Sequence, residues 1–112
     1  MAVREAAVAV TRWQGSAHPS MSNIMRIMKD EGLRPYTWSN LANHRYGIRT
    51  HNYDKSLFVV DGTLEVHLPD NNQIVRLKNG DHIWIPASTR HMMVVGATGA
   101  KCVEASIRRS RR

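Results

Sequence analysis

The sequence predicts an all-β domain built as an antiparallel sandwich or barrel. The apolar runs are short, turn signals separate them at regular intervals, and at least one pair of runs alternates as a hairpin should. Residues 1 to 22 come first, with weak periodicity and a close in Gly15-Ser16-Ala17-His18-Pro19-Ser20, a turn or linker composition. They read as an N-terminal extension, irregular or swapped onto a second copy, and Met21 is an alternative start. The domain proper is expected over residues 23 to 107. Its apolar runs are Ile24 to Met28, Leu57 to Val60, Leu64 to Leu68, Ile74 to Leu77, Ile83 to Ile85, Met92 to Val95 and Cys102 to Ile107. Between them stand Asp30-Glu31-Gly32, Asp61-Gly62, Pro69-Asp70-Asn71-Asn72, Asn79-Gly80 and residues 96 to 99. The stretch Leu64-Glu65-Val66-His67-Leu68, the turn after it and Gln73-Ile74-Val75-Arg76-Leu77 form the clearest hairpin. No internal repeat or long helix is visible.

Composition bounds the function. A chain of 112 residues suffices for one core and leaves no room for a second domain. A single cysteine, Cys102, excludes an intrachain disulfide framework and suits a reducing compartment. No apolar run approaches the roughly 20 residues of a membrane span, and Ala6-Ala7-Val8-Ala9-Val10 is too short for a secretory core, so a cytoplasmic location is expected. The net charge of +7 is unevenly spread. Residues 108 to 112 supply four positive charges, whereas residues 23 to 107 hold ten basic and eight acidic side chains and are nearly balanced. A basic tail attracts phosphate non-specifically, but no aromatic-interleaved basic strand or recognition helix accompanies it. A nucleic-acid role is therefore not expected, and an adaptor for nucleic acid or protein acting through the arginine tail is kept only as a remote alternative.

Two blocks share one grammar. Residues 80 to 91 read as a Gly-Asp turn, a short apolar strand ended by Pro86, a tight turn of small residues, and His91 where the next strand begins. Residues 49 to 62 run from a polar strand start carrying His51, through Leu57-Phe58-Val59-Val60, to Asp61-Gly62. Two strand ends, each with a histidine, can converge on one pocket. Together the blocks resemble the cupin family, whose first motif is H-x-H, three or four residues, E, six residues, G. Its second is G, five residues, P-x-G, two residues, H. Gly80, Pro86 and His91 keep the second motif, with Ser88 in the usual glycine place. His51 and Gly62 keep part of the first, while Arg49 takes the first-histidine place and Lys55 the glutamate place. The resemblance covers residues 40 to 107, and Glu31-Gly32-Leu33-Arg34-Pro35-Tyr36 is similar to the lead-in strand of small bacterial cupins. It implies a jelly roll, a pocket inside it and pairing into a homodimer.

Strand alternation places Arg49, His51, Lys55, Leu57 and Val59 on one face, which the resemblance turns into the barrel. Two readings of that cup follow. In one, His51 and His91 with Asp54, swung inward by a bulge, hold a divalent metal such as iron, manganese, nickel or zinc. That requires Arg49 and Lys55 to snorkel outward, because two unit charges about 4 Å apart interact by about 4 kcal/mol at an effective dielectric near 20. In the other, Arg49, Lys55, His51 and His91 form a metal-free cationic cup for a small organic anion, walled by Tyr46 and Trp84. A plainer alternative makes Arg49 and Lys55 rim charges paired with Asp54 or Glu104. His67 and His82 read as surface residues. Trp84, with Phe58, Val60 and the first segment, is also a candidate for the dimer interface.

Overall fold

The computed structural model describes residues 8 to 15 and 17 to 108. Most of the arginine tail, residues 109 to 112, and the first seven residues lie outside that range. Seven strands and one α-helix follow in order: β1 (Ala9–Thr11), α1 (Met21–Asp30), β2 (Tyr36–Asn40), β3 (Arg45–Arg49), β4 (Asp54–Leu68), β5 (Gln73–Leu77), β6 (His82–Ile85) and β7 (His91–Ile107). All pairings are antiparallel; the sheet runs β1-β6-β4-β7-β2, with β5 added on β4 and β3 on β7.

The long strands β4 and β7 make the barrel. Their outer halves pair from Asp54↔Ile107 to Val59↔Cys102, their inner halves from Leu64↔Val95 to His67↔Met92, and the register shifts on both sides of Asp61 and Gly62. Such bulges bend a strand pair and raise its twist. Gly62 has φ +90°, and a Cβ on it would lie 2.0 Å from the Gly99 carbonyl oxygen. The bend folds the sheet over on itself, so Leu57, Val59, Ile83, Ile85 and Cys102 from one half meet Leu64, Val66, Leu77, Met93 and Val95 from the other in one core. The hairpin expected over residues 64 to 77 is present, joined by a 3-10 turn at Pro69–Asn71 and closed by Asn72 in the left-handed region.

The run Ile24 to Met28 is a helix and not a strand. Ser20 caps it by accepting from the Asn23 amide at 3.1 Å, and Ile24 and Met28, four residues apart, are fully buried. They seat on Val60, Val103 and Ala105, on the outer side of the sheet, with Phe58 packed alongside. Val60 is therefore covered within the chain and not open to a partner, whereas Phe58 stays partly exposed. The helix is capped at Glu31 and the chain turns away at Gly32, φ +83°, with the Leu33 amide bonded back to Met28 O at 3.1 Å.

The first segment is held by its own chain: β1 pairs with β6 from Ala9↔Trp84 to Thr11↔His82. Asp81, completely buried, accepts from the Trp13 amide at 3.0 Å, the Lys78 amide at 3.0 Å and the Arg12 guanidinium at 2.9 Å. The expected boundary between residues 22 and 23 falls inside α1. Among the described residues, no helix is long and apolar enough to cross a membrane.

Candidate functional site

One end of the barrel interior is polar. His91 reaches it because the turn before it is tied down at three points. Ser88 adopts φ +67° and donates its amide to His51 O at 2.8 Å; Ala87 donates its amide to the Asp54 carboxylate at 2.8 Å; Thr89 N bonds Pro86 O at 3.3 Å. Ser88 thus occupies the backbone conformation that glycine takes at low cost, and its amide fastens the two histidine-bearing segments to each other.

The imidazoles of His51 and His91 face each other with ring centroids 5.4 Å apart. His91 is 1% exposed and directs Nδ1 at Thr89 O, 2.9 Å away, so Nδ1 carries the proton and Nε2 presents a bare lone pair. His51 stacks on Tyr53 at 4.8 Å. Its Nε2, like that of His91, is buried without a hydrogen-bond partner, and no other buried side-chain polar atom among the described residues shares that condition. Burial first, then the nearby Lys55 ammonium, lowers the pKa of His51; burial also leads for His91, with Lys55 adding to it, so both rings are neutral near pH 7.

Lys55 is 5% exposed. Its Nζ lies 3.4 Å from Glu104 Oε2, and Glu104 in turn accepts from Tyr36 OH at 2.5 Å and from Trp38 Nε1 at 2.9 Å. The plainer expectation of a Lys55–Glu104 pair is met in its partner but not in its place, since the pair lies inside the barrel and not on the rim. The ammonium is charge-balanced, so the cup is less cationic than the anion reading required. Arg49 is exposed at the mouth, opposite His91 in register, with its guanidinium carbon 5.6 Å from the Tyr46 ring centre. Tyr46 faces inward as expected, edge-on to Trp38 at 5.8 Å, its hydroxyl bonded to the Asn40 amide.

Trp84 is not a wall of this cup. Its neighbours Ile83 and Ile85 fill the core, so alternation turns Trp84 to the outer side of β6, where it lines a shallow cleft with Trp13, Phe58 and His82. His82 is no simple surface residue either: it packs on Phe58 at 4.5 Å and bonds Ser56 Oγ at 2.7 Å.

Asp54 also departs from its expected role. Its carboxylate holds the Ala87 amide, and no group of three or more His, Cys, Asp or Glu side chains able to hold a metal ion occurs among the described residues. The resemblance implies a divalent metal, and two bare imidazole nitrogens are suitable donors for one. The remainder of the donor set does not fit. An ammonium stands where the carboxylate belongs, and the Glu104 carboxylate is already taken by Lys55, Tyr36 and Trp38.

Sequence reasoning missed Tyr36 and Trp38 as parts of the site and gave Glu104 only as an ion-pair partner. A signal was present, because alternation from buried Cys102 along β7 puts Glu104 on the inward face, and β2 pairs Tyr36 with Glu104 and Trp38 with Cys102.

No protein-family model matches this chain, and no curated protein matches it. Solved structures do. A cupin superfamily protein of Desulfitobacterium hafniense aligns over 97% of this chain and 84% of its own, with 14% identity and a TM-score of 0.61. A cupin-2 domain protein of Shewanella frigidimarina aligns over 68% and 71%, with 18% identity and a TM-score of 0.58. The polyketide cyclase RemF of Streptomyces resistomycificus aligns over 70% and 57%, with 20% identity and a TM-score of 0.61. Identities this low speak for architecture and not for activity. The bent β4–β7 pair, the closed apolar core, the histidines at its polar end and these likenesses agree that the chain has the cupin fold.

Proposed function

We propose that the polar end of the barrel is a metal-independent pocket for a small organic molecule carrying oxygen functions, held by His51, His91 and Lys55. The observation that carries this reading is the pair of buried, unpartnered Nε2 atoms. Buried acceptors left without donors cost about 1–3 kcal/mol each, and a ligand hydroxyl or ordered water removes that cost. Lys55, with one of its three donors directed at Glu104, offers the others to a carbonyl or hydroxyl oxygen. Arg49 at the mouth suits a ligand that also bears a carboxylate or phosphate.

The test is elemental analysis of purified protein, with thermal melts in chelator, in added manganese, iron, nickel or zinc, and against small hydroxy and keto acids. A melt indifferent to chelator and metals, raised by one of the acids and no longer raised in His91→Ala, is the expected result. The same bare nitrogens favour a second reading, a metal held by the two imidazoles and completed by the ligand. Near-stoichiometric metal that is lost in His91→Ala would replace the first reading with that one.

A further inference from the structure

Lys55 is the buried lysine among the described residues; Lys29, Lys78 and Lys101 are exposed. Its position is set by a chain of contacts. Tyr36 OH and Trp38 Nε1 fix the Glu104 carboxylate, and the carboxylate fixes the amine. The contact of 3.4 Å is looser than the roughly 2.7–2.9 Å of a close charge-assisted hydrogen bond, so Glu104 orients the nitrogen without capping it. The same end of the barrel holds the His51 and His91 imidazoles, near enough for the Lys55 charge to lower the pKa of both, and their Nε2 atoms lack any partner. A primary amine buried at the polar end of the barrel and oriented by a carboxylate can attack a carbonyl once a neighbouring base takes its proton. A competing thiol is absent from this chemistry, since burial pushes Cys102 up to about 12.

We propose that Lys55 is a covalent site, forming an imine with a carbonyl-bearing ligand of the pocket. This rests on the reading of the barrel end as a small-molecule pocket and adds a reaction to it. A bare imidazole Nε2 takes a proton from the Lys55 ammonium, and the freed amine lone pair forms the N–C bond while the carbonyl π bond breaks onto oxygen. The oxygen is protonated to a carbinolamine, with the second proton leaving nitrogen. A further proton returned by the imidazole lets the C–O bond break, and water departs. The sum is Lys–NH3+ plus O=CR2 giving Lys–NH+=CR2 plus H2O, with no oxidant or reductant. His51 and His91 carry protons, Glu104 is a positioning residue that also balances the iminium charge, and Arg49 is placed to meet an anionic group on the ligand.

The experiment is reductive trapping on the intact, metal-free protein, with pyruvate and pyridoxal as carbonyl probes and cyanoborohydride as reductant, read by intact mass and peptide mapping. A single adduct on Lys55, ahead of the exposed lysines, is expected. It should be absent in Lys55→Arg and formed about a hundredfold more slowly in the double variant His51→Asn/His91→Asn. Because the labelled position is read on the unaltered chain, the result does not depend on a variant folding. Label spread over Lys29, Lys78 and Lys101 with Lys55 unmodified overturns the inference. If pyruvate still shifts the imidazole resonances of His51 and His91 in that case, the pocket stands and the imine falls. If it does not, both fall.

Discussion

Removing Glu104 leaves the Lys55 ammonium buried without its counter-charge, and removing Lys55 does the same to the carboxylate. Unpaired buried charges cost about 3–5 kcal/mol, whereas replacing both members by apolar or neutral groups of similar volume is often close to neutral. Glu104→Gln is therefore expected to lower stability by about 3 kcal/mol or more in urea denaturation, and Lys55→Met/Glu104→Gln to recover most of the loss. His82 carries a pH-dependent prediction. Burial lowers its pKa from the ordinary 6.5 to about 4. The folded state thus binds fewer protons than the unfolded chain between those values, so its contribution is complete above about pH 6.5 and is lost as pH falls toward 4. The slope is at most about 1.4 kcal/mol per pH unit per group. His82→Gln should flatten the decline in melting temperature across that window, leaving the part due to His51 and His91. Both histidines were legible in the sequence, His91 because it follows the Pro86 turn and His51 because it stands in the polar stretch that leads into the apolar run of β4. The polarity of their end of the barrel was not: the sequence offers Asp54 or Glu104 to Lys55 only as partners at the rim, and only the pairing Leu57↔Glu104 of β4 with β7 brings the neutralising carboxylate inward.

At the scale of elements, the bend in β4 and the seat of α1 make opposite demands on side-chain size. A methyl group on Gly62 would meet the backbone oxygen of Gly99 from a positive φ, and neither strand can move aside without breaking the β4–β7 ladder. Gly62→Ala is expected to yield insoluble or strongly destabilised protein. Gly47→Ala, where no atom lies within 4 Å of the added Cβ, should change stability by less than about 1 kcal/mol. In α1 the demand is for volume. Met28→Ala empties a fully buried position against Val60 and Val103 and should cost about 2–5 kcal/mol by denaturant titration. The strands were readable because their period of two repeats across several runs. The helix was not, because a five-residue apolar run fits either period, and the decisive marks were Pro19-Ser20 before it and the i, i+4 burial of Ile24 and Met28.

For the whole molecule, the N-terminal segment closes an edge. Without β1, strand β6 would present unpaired backbone groups along the barrel flank, an invitation to pair with another chain. A three-residue strand is too short to hold itself there. What fastens it is Asp81, 68 residues from Trp13 in sequence, together with the Trp13 ring lying over Gly80, where a Cβ would come within 2.3 Å of the indole. Burial alone would raise the Asp81 pKa, but the amides of Trp13 and Lys78 and the Arg12 guanidinium outweigh it and hold the carboxyl below its usual range. Its stabilisation is thus present above about pH 4 and is lost as pH falls below that through the folded value. So distant a contact leaves no local period, which is why the segment read as a loose extension while the barrel did not. Asp81→Asn keeps the volume but replaces one acceptor oxygen by an NH2 donor, which faces either the Trp13 amide or the Arg12 and Lys78 donors, and it removes the charge from every bond; bonds to a charged group are worth about 1.5–3 kcal/mol each. The variant should lose amide-exchange protection over residues 82 to 84 before the β4–β7 ladder opens. Once the edge is free, it should also associate with rising concentration in sedimentation or size-exclusion runs. If protection at β6 survives and the protein keeps its native size, Asp81 is not the clasp, and β1 is held by its pairing with β6 and the packing of Val8, Val10 and Trp13.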